Sequence, residues 1–330
     1  MQMLDGITLE ILGTKMAAAA DEMAITLQRT GRTLYVKETL DFGTVLATPE
    51  GHFYAYPHGI GVSCFIALDI GPVVRLFDDL APGDVICTNH PYASGGVATH
   101  TPDLQLIQPF FHEGELIGYG WSFVHLSDIG GKVPSSISPS STELYQEGFL
   151  IPPLRIMRGG QFVPEVLQLF RANVRTPDDD VGDMQAMLAA LATGERRVKE
   201  MIERFGRDAF LAAQAAVIDQ AFRKTKAVLS RIPDGDYVFW DYMDDDASTG
   251  IPVRLRVRME CRSGEVLLDY RGSDPQTAGP FNIPSAGRSH PFLTLKFASF
   301  IWSQDPSIPL NAGMFRSVSV RCDPASVLNS

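Results

Sequence analysis

Thr99-His100-Thr101-Pro102-Asp103, an apolar run from Leu104 to Phe111, the segment His112-Glu113-Gly114-Glu115, a second apolar run from Leu116 to Val124, and His125-Leu126-Ser127-Asp128-Ile129-Gly130-Gly131 follow one another without interruption. Two apolar runs separated by a glycine-bearing turn predict adjacent antiparallel strands. Folding back at Gly114 brings the flanking residues together at the far end. Those flanks carry the same pattern, H-x-x-D, as His100/Asp103 and His125/Asp128. A hard divalent ion takes carboxylate oxygens with one or two imidazoles. Asp103, His125 and Asp128 are therefore candidate metal ligands, with His100 as a further ligand or an acid/base group. Either half alone reads equally as a turn cap; it is the doubling around one hairpin that points to metal. Gly95-Gly96 before the first pair and Gly130-Gly131 after the second permit close backbone approach and positive φ.

Upstream, Asp5 is a plausible N-cap for a helix whose Leu9, Leu12, Met16, Ala19, Ala20, Met23 and Leu27 form one buried stripe, with Gly31 as its stop. Val36 to Gly43, with Lys37, Glu38 and Asp41, reads as a solvated loop. Val45–Thr48 and His52–Tyr56 flank Pro49-Glu50-Gly51 as a hairpin. His58, between Pro57 and Gly59, is a candidate pocket residue or a structural loop histidine. Val85–Thr88 is a strand leading into the loop from Asn89 to Ala98. Asn89, Gly95 and Gly96 are candidates for substrate binding, since backbone N–H groups there can cradle an anion. No lysine follows Gly95-Gly96, so this loop is not a phosphate loop of the Walker type.

Downstream, Ser135–Ser141 is a polar loop, and Glu143 to Glu147 reads as a short helix with both glutamates on one face. Glu147 is a candidate acid/base residue, with a solvated face as the alternative. Pro164–Asn173 is a helix with Pro in its first turn. Arg175 is a candidate for holding phosphate or carboxylate. Asp183–Phe205 and Asp208–Leu229, broken at Gly206, predict two antiparallel helices. Tyr237–Tyr242, Val253–Cys261 and Val266–Tyr270 predict a β meander. Gln276 and Asn282 lie in a Gly/Pro-rich segment and are candidates for hydrogen-bonding an amide or carboxylate, or for turn roles. His290–Trp302 is helical. The class expected is α+β or mixed α/β: multi-layer β-sheets with flanking helices, a helical hairpin near the middle and a C-terminal β-rich section. The units are residues 1–175, holding the metal site, then 176–232 and 233–330.

The 330 residues carry a net charge of −11, which argues against a nucleic-acid partner. Cys64, Cys87, Cys261 and Cys322 are widely spaced with no C-x-x-C, as in reduced, mostly buried thiols of a cytoplasmic protein. No apolar run reaches the roughly 18 residues of a membrane span. The start Met1-Gln2-Met3-Leu4-Asp5 lacks the basic residues of a signal peptide.

Asn89-His90-Pro91-Tyr92-Ala93-Ser94-Gly95-Gly96, His100-Thr101-Pro102-Asp103, His125-x-x-Asp128-Ile129-Gly130-Gly131, Glu147-Gly148-Phe149-x-Ile151-Pro152-Pro153 and Asn173-Val174-Arg175-Thr176-Pro177 occur in this order. The series resembles the hydantoinase B/oxoprolinase family, from about Asp5 to the C-terminus. The family's first motif usually begins N-D-P-Y; here His90 replaces the Asp. The resemblance implies a B-type subunit of an ATP-dependent cyclic-amide hydrolase that works with a hydantoinase A-type partner. On that view the partner binds ATP and phosphorylates the substrate, and the assembly is a hetero-oligomer. The first alternative is a subunit of an acetone-carboxylase-like carboxylase, whose corresponding subunit carries manganese on residues matching this D…H-x-x-D pattern; zinc or iron remain open as the ion. The second is a non-catalytic scaffold of such a complex. The family's B-type chains continue well past residue 330. The resemblance thus implies a shortened, cleaved or split chain, with an apolar surface or sheet edge left exposed after the strand-like run Phe315–Arg321.

Overall fold

The computed structural model describes residues 5–62 and 64–330. Residues 1–4, read above for a leader, and the side chain of Cys64 lie outside the described residues. In chain order the helices are α1 (Gly6–Thr30), α2 (Leu34–Lys37), α3 (Gly71–Val74), α4 (Pro164–Asn173), α5 (Pro177–Phe205), α6 (Arg207–Leu229) and α7 (Pro291–Gln304). The strands are β1 (Phe42–Ala47), β2 (Phe53–Ala55), β3 (Val85–Thr88), β4 (Asp103–His112), β5 (Glu115–His125), β6 (Leu154–Arg158), β7 (Gln161–Phe162), β8 (Gly235–Met243), β9 (Val253–Arg262), β10 (Glu265–Asp269) and β11 (Val318–Arg321).

The β4–β5 hairpin is the centre of an antiparallel seven-stranded sheet, ordered β2-β1-β5-β4-β3-β6-β7. Glu113 (φ 51°) and Gly114 (φ 83°) both turn left-handed, the backbone of a tight hairpin turn that follows the strand twist. Both faces of this sheet are covered, which is why the two strands read as nearly unbroken apolar runs. Leu104, Leu106, Phe110 and Val124 face a helical layer built on α1 and α5; Ile107, Trp121 and Phe123 face a second core beneath Phe65, Ile70 and Met314. Asp5 caps α1 by accepting from Ile7 N and Thr8 N, and Gly31 ends it as the sequence predicts. Gly206, at φ 86°, makes the break between α5 and α6.

The second sheet, ordered β11-β10-β9-β8, contains the predicted meander plus β11, which pairs in parallel with β10. β11 is an edge strand of this sheet, as the sequence leads one to expect, while the segment after it packs: Val327 and Leu328 are buried, Val327 N donates to Asp274 O (3.0 Å), and Ile283 N donates to Val327 O (2.7 Å). Exposure is concentrated on β8 instead, where Phe239 is 64% and Trp240 57% exposed. Among the described residues that strand is paired only with β9. The segment expected to be a short helix at Glu143–Glu147 is a single 3-10 turn, Leu144–Gln146, with the two glutamates at its ends. Cys87 and Cys261 are buried free thiols and Cys322 is a half-buried one. Among the described residues no helix is long and apolar enough to cross a membrane.

Candidate metal centre and its cavity

At the open end of the hairpin the strand register sets Asp103 directly opposite His125. His100, in the tight turn entering β4, folds back onto the same carboxylate. Asp103 Oδ1 accepts from His100 Nε2 at 2.8 Å and faces His125 Nδ1 at 3.2 Å. One potential ligand atom from each of these three residues lies within 4.8 Å of the others. Thr99 Oγ1 donates to Asp103 Oδ2 at 2.9 Å and so fixes the carboxylate plane. The Tyr35 ring packs on the His125 imidazole with centroids 4.6 Å apart.

A fourth group joins them that sequence reasoning assigned to a solvated loop. Asp41 precedes β1, and the β1–β5 register, Phe42 opposite Val124, delivers it to His125. His125 N donates to Asp41 O (3.0 Å), and Asp41 Oδ2 lies 3.9 Å from His125 Nδ1. No local pattern marks Asp41; only the pairing of strands about eighty residues apart in sequence brings it here.

The electrostatics follow from this crowding. Burial opposes ionisation of Asp103, but the imidazoles of His100 and His125 outweigh it and hold the carboxyl well below the usual range. Burial pulls the His100 pKa down, yet Asp103, with Asp41 and Glu147 behind it, brings it above the ordinary value. Asp41 is pushed up by burial and by the neighbouring Asp103 charge. Burial also raises Glu147, against the hydrogen bond that Thr101 Oγ1 donates to its Oε2 at 3.0 Å. His125 Nε2 is buried and has no hydrogen-bond partner. Two imidazoles and a carboxylate on one point, with a second carboxylate beside them and a ring nitrogen unpartnered, fit a divalent ion.

Asp128 is not brought to this cluster. Its carboxylate accepts from Arg175 Nη1 (2.6 Å), Arg175 N (2.8 Å) and Gly130 N (2.9 Å), which use its lone pairs. It anchors the loop after β5 to the start of α5. Arg175, expected to hold a substrate anion, is correspondingly engaged: its guanidinium also donates to Gly130 O and Gly131 O. Asn89 is fully buried and clamps three loops together, donating to Thr101 O and Phe149 O and accepting from Ile151 N. Gly95 and Gly96 adopt positive φ; a Cβ on Gly96 would lie 2.9 Å from Pro284 O, so that glycine serves loop packing. His58 lines a different cavity, between α1 and α6, and its backbone N donates to Asp21.

Glu147 does reach the cluster's cavity. Gly131 and Gly148, at φ 78° and 155°, let the two loops lie back to back: a Cβ on Gly131 would sit 2.7 Å from Glu147 O, and one on Gly148 2.5 Å from Ile129 Cγ2. A polar cavity of 240 Å³ runs from His100 and Glu147 to Ser141 on one wall and to Gln276, Thr277 and Asn282 on the other. The Asn282 amide is held within its own loop, bonding Thr277 N, Thr277 O and Gly279 O. A second cavity of 200 Å³ shares His100 and Glu147 and is otherwise lined largely by Pro102, Ile137, Pro139, Pro280 and Phe281.

The sequence profile described as hydantoinase B/oxoprolinase matches residues 5–330. The chain is 31% identical over 339 residues to the beta chain of the caprolactamase of Pseudomonas jessenii, covering 99% of this chain and 55% of that one. It is 27% identical to the B chain of a putative D-/L-hydantoinase of Pseudomonas sp. strain NS671, covering 57% of that protein. The fold superposes on the crystal structure of the ATP-dependent caprolactamase from Pseudomonas jessenii with a TM-score of 0.87 and 28% identity, over 100% of this chain and 56% of that chain. It superposes equally on nucleotide-free acetone carboxylase, TM-score 0.87, at 17% identity, over 99% of this chain and 44% of that chain. The second likeness concerns the fold. The chain spans a little over half the length of the curated relatives it matches here.

Proposed function

Because the chain belongs to the hydantoinase B/oxoprolinase family, we propose that it is the B-type part of an ATP-dependent enzyme that opens small cyclic amides, acting on a substrate phosphorylated by an A-type partner. The observation that carries the reading is the convergence of half-buried His100 with buried Asp103 and His125 at the end of the β4–β5 hairpin, where His100 forms part of the wall of a cavity sized for one small ring. These residues, with Asp41, would hold a divalent ion; manganese comes first, and zinc or iron also suit two imidazoles with carboxylate. Such an ion supplies Lewis acidity toward a carbonyl oxygen.

The chain's own groups do the rest. Asp103 stays ionised and positions both imidazoles. Glu147, on the cavity wall with a raised pKa, is the group that holds and passes a proton, to the departing ring nitrogen or from attacking water. Thr101 keeps its Oε2 in place. The apolar cavity beside it excludes water from one side of the substrate. ATP belongs to the partner, since the glycine loop here lacks a phosphate-loop lysine. The fold shared with acetone carboxylase leaves room for a second reading, carboxylation of a small carbonyl compound, in which these residues of this chain keep the roles given above.

The test is reconstitution with an A-type partner chain. Ring opening of hydantoin or a simple lactam, dependent on ATP and on both chains and lost in Glu147→Gln, supports the reading. ATP-dependent fixation of bicarbonate into acetone without ring opening would replace it with the second. Tight stoichiometric ATP binding by this chain alone, measured calorimetrically, would refute the assignment of ATP to the partner.

A further inference from the structure

Two large apolar side chains stand in the open beside the groups that carry the chemistry just described. Ile137 is 57% and Phe281 44% exposed. Both line the 200 Å³ cavity whose wall also includes His100 and Glu147. A single exposed apolar residue is ordinary, but two from loops remote in sequence, lining one concavity that also holds the proton-carrying group, match the lining of a ligand pocket. Their loops are fixed by bonds that leave these side chains free. Ser135 and Ser136 take positive φ in succession, 63° and 60°. Ser136 Oγ donates to Gly130 O (2.9 Å) and accepts from Ile129 N (3.1 Å), which ties that turn to the segment after β5. On the far side of Ile137, Lys132 Nζ donates to Ser140 O. Phe281 is carried by the loop that the Asn282 amide closes through Thr277 and Gly279.

The chemistry of the occupant follows from which polar groups are already spent. Ser136 and Ser138 also line this cavity. The Ser136 hydroxyl has its donor bond and an acceptor bond inside the protein, and Ser138 Oγ is bonded to Ser140 Oγ (3.1 Å) and accepts from Ser140 N (3.4 Å). Pro102, Pro139 and Pro280 have no N–H to offer. Apart from His100 and Glu147, the cavity therefore offers hydrocarbon surface and side-chain hydroxyls that are already partnered. A ring whose amide lies against His100 and Glu147 presents the neighbouring ring carbon to this surface. Moving an alkyl or aryl group from water onto such a surface is favourable.

We propose that Ile137 and Phe281 are specificity-determining residues that hold a hydrophobic substituent of the substrate, so that a cyclic amide bearing an alkyl or aryl side chain is preferred over the bare ring. The inference rests on the cyclic-amide reading above, and it adds which rings the site selects and which residues select them. The occupant is the substrate because the cavity is continuous with the groups that act on it: His100 and Glu147 belong to both.

The test reads binding rather than turnover. Three rings are titrated by ligand-observed NMR into the purified chain and into Ile137→Asn, Phe281→Ala and the double variant. They are hydantoin, hydantoin with an isobutyl group on its ring carbon, and hydantoin with a carbamoylmethyl group there, which has the same shape as isobutyl but is polar. In the wild type the isobutyl ring should bind about ten-fold more tightly than the other two, the scale of added hydrocarbon in an apolar pocket. The double variant should lose that advantage and keep its affinity for bare hydantoin. Ile137→Leu and Phe281→Leu, which keep an apolar side chain, should retain most of it. Melting curves establish that each variant is folded; if Ile137→Asn fails to fold, Phe281→Ala against Phe281→Leu decides alone. No binding of any ring, equal affinity for the isobutyl and bare rings, or the same advantage for the carbamoylmethyl ring would overturn the inference, as would a parallel loss of all three rings in the variants. An isobutyl preference that depends on Ile137 and Phe281, with no ring opening by the reconstituted complex, would refute the proposed function and leave the subsite standing.

Discussion

Replacing Asp180 by Asn should stabilise the protein relative to the wild type, and by more at pH 8 than at pH 5. Asp180 sits in the first turn of α5 and is completely buried. Thr176 Oγ1 donates to its Oδ2 at 2.8 Å, its Oδ1 has no partner, and the carboxylates of Asp128 and Asp183 are close by. Asp128 is held by Arg175, and Asp183 by Arg32 N and Thr33. Those two carboxylates thus have their hydrogen-bond partners, and Asp180 is the odd acid. Burial, then the charges of Asp128 and Asp183, push its carboxyl from 3.8 up to about 7. The sign follows. Below about pH 4 the folded and unfolded chains both carry the proton. Between about pH 4 and 7 the unfolded chain has released it and the folded chain has not, so folding loses stability with every step upward in pH. At about 1.4 kcal/mol per pH unit the loss approaches roughly 4 kcal/mol over the whole window and about 3 between pH 5 and 7; relaxation around the charged carboxylate reduces the latter to about 2. The Asn side chain is isosteric with the neutral acid and escapes that loss. Thermal unfolding followed by circular dichroism at pH 5 and pH 8, without divalent ion, reads the effect. The variant's melting temperature relative to wild type should rise by about 4 °C between the two conditions, at about 2 °C per kcal/mol for a chain of this size. Taking the difference between variant and wild type cancels the titrations of His100 and Asp103, which both proteins share. An offset that is the same at both pH values, or that turns against the variant at pH 8, would refute the reasoning.

Elemental analysis after purification with manganese should find no ion in His125→Ala or Asp103→Asn, reduced ion in Asp41→Asn, and full ion in Asp128→Asn. Asp128→Asn should instead melt lower, by the roughly 1–3 kcal/mol of a charged hydrogen bond lost from Arg175; an ion-free Asp128→Asn would return it to the ligand set. Metal affinity of the chain should climb as pH rises past 6.5, because the His100 proton, held more firmly than usual by Asp103, has to leave first; a flat titration by competition with a chelator dye would contradict this. The exposed aromatic strand β8 should drive self-association of the isolated chain. Light scattering on Phe239→Lys/Trp240→Glu should show the associated fraction falling, and no change would exonerate that strand.

What the sequence determined by itself was local. The Glu113-Gly114 turn needs only two residues able to take positive φ, and the apolar runs on either side state how deeply the strands are buried. Asp5, Gly31, Gly206 and His290 mark helix ends through hydrogen bonds or dihedrals within a few residues of themselves. A hairpin whose turn is known brings its two flanks to the same end, which is why the meeting of the two H-x-x-D segments was legible; the one-residue register shift between Phe110 and Phe111 that sets Asp103 opposite His125 was not. The membership of the site was decided elsewhere. Asp41 arrives through the pairing of β1 with β5, and nothing in residues 36–43 announces it. Asp128 has the same H-x-x-D spacing as Asp103, yet Arg175, at the entry to α5, takes its carboxylate first. Ser141 and Thr277 line one cavity because two remote loops close over it. A carboxylate's role depends on which cation or imidazole reaches its lone pairs, and that competition is settled by long-range packing, which sequence spacing does not encode.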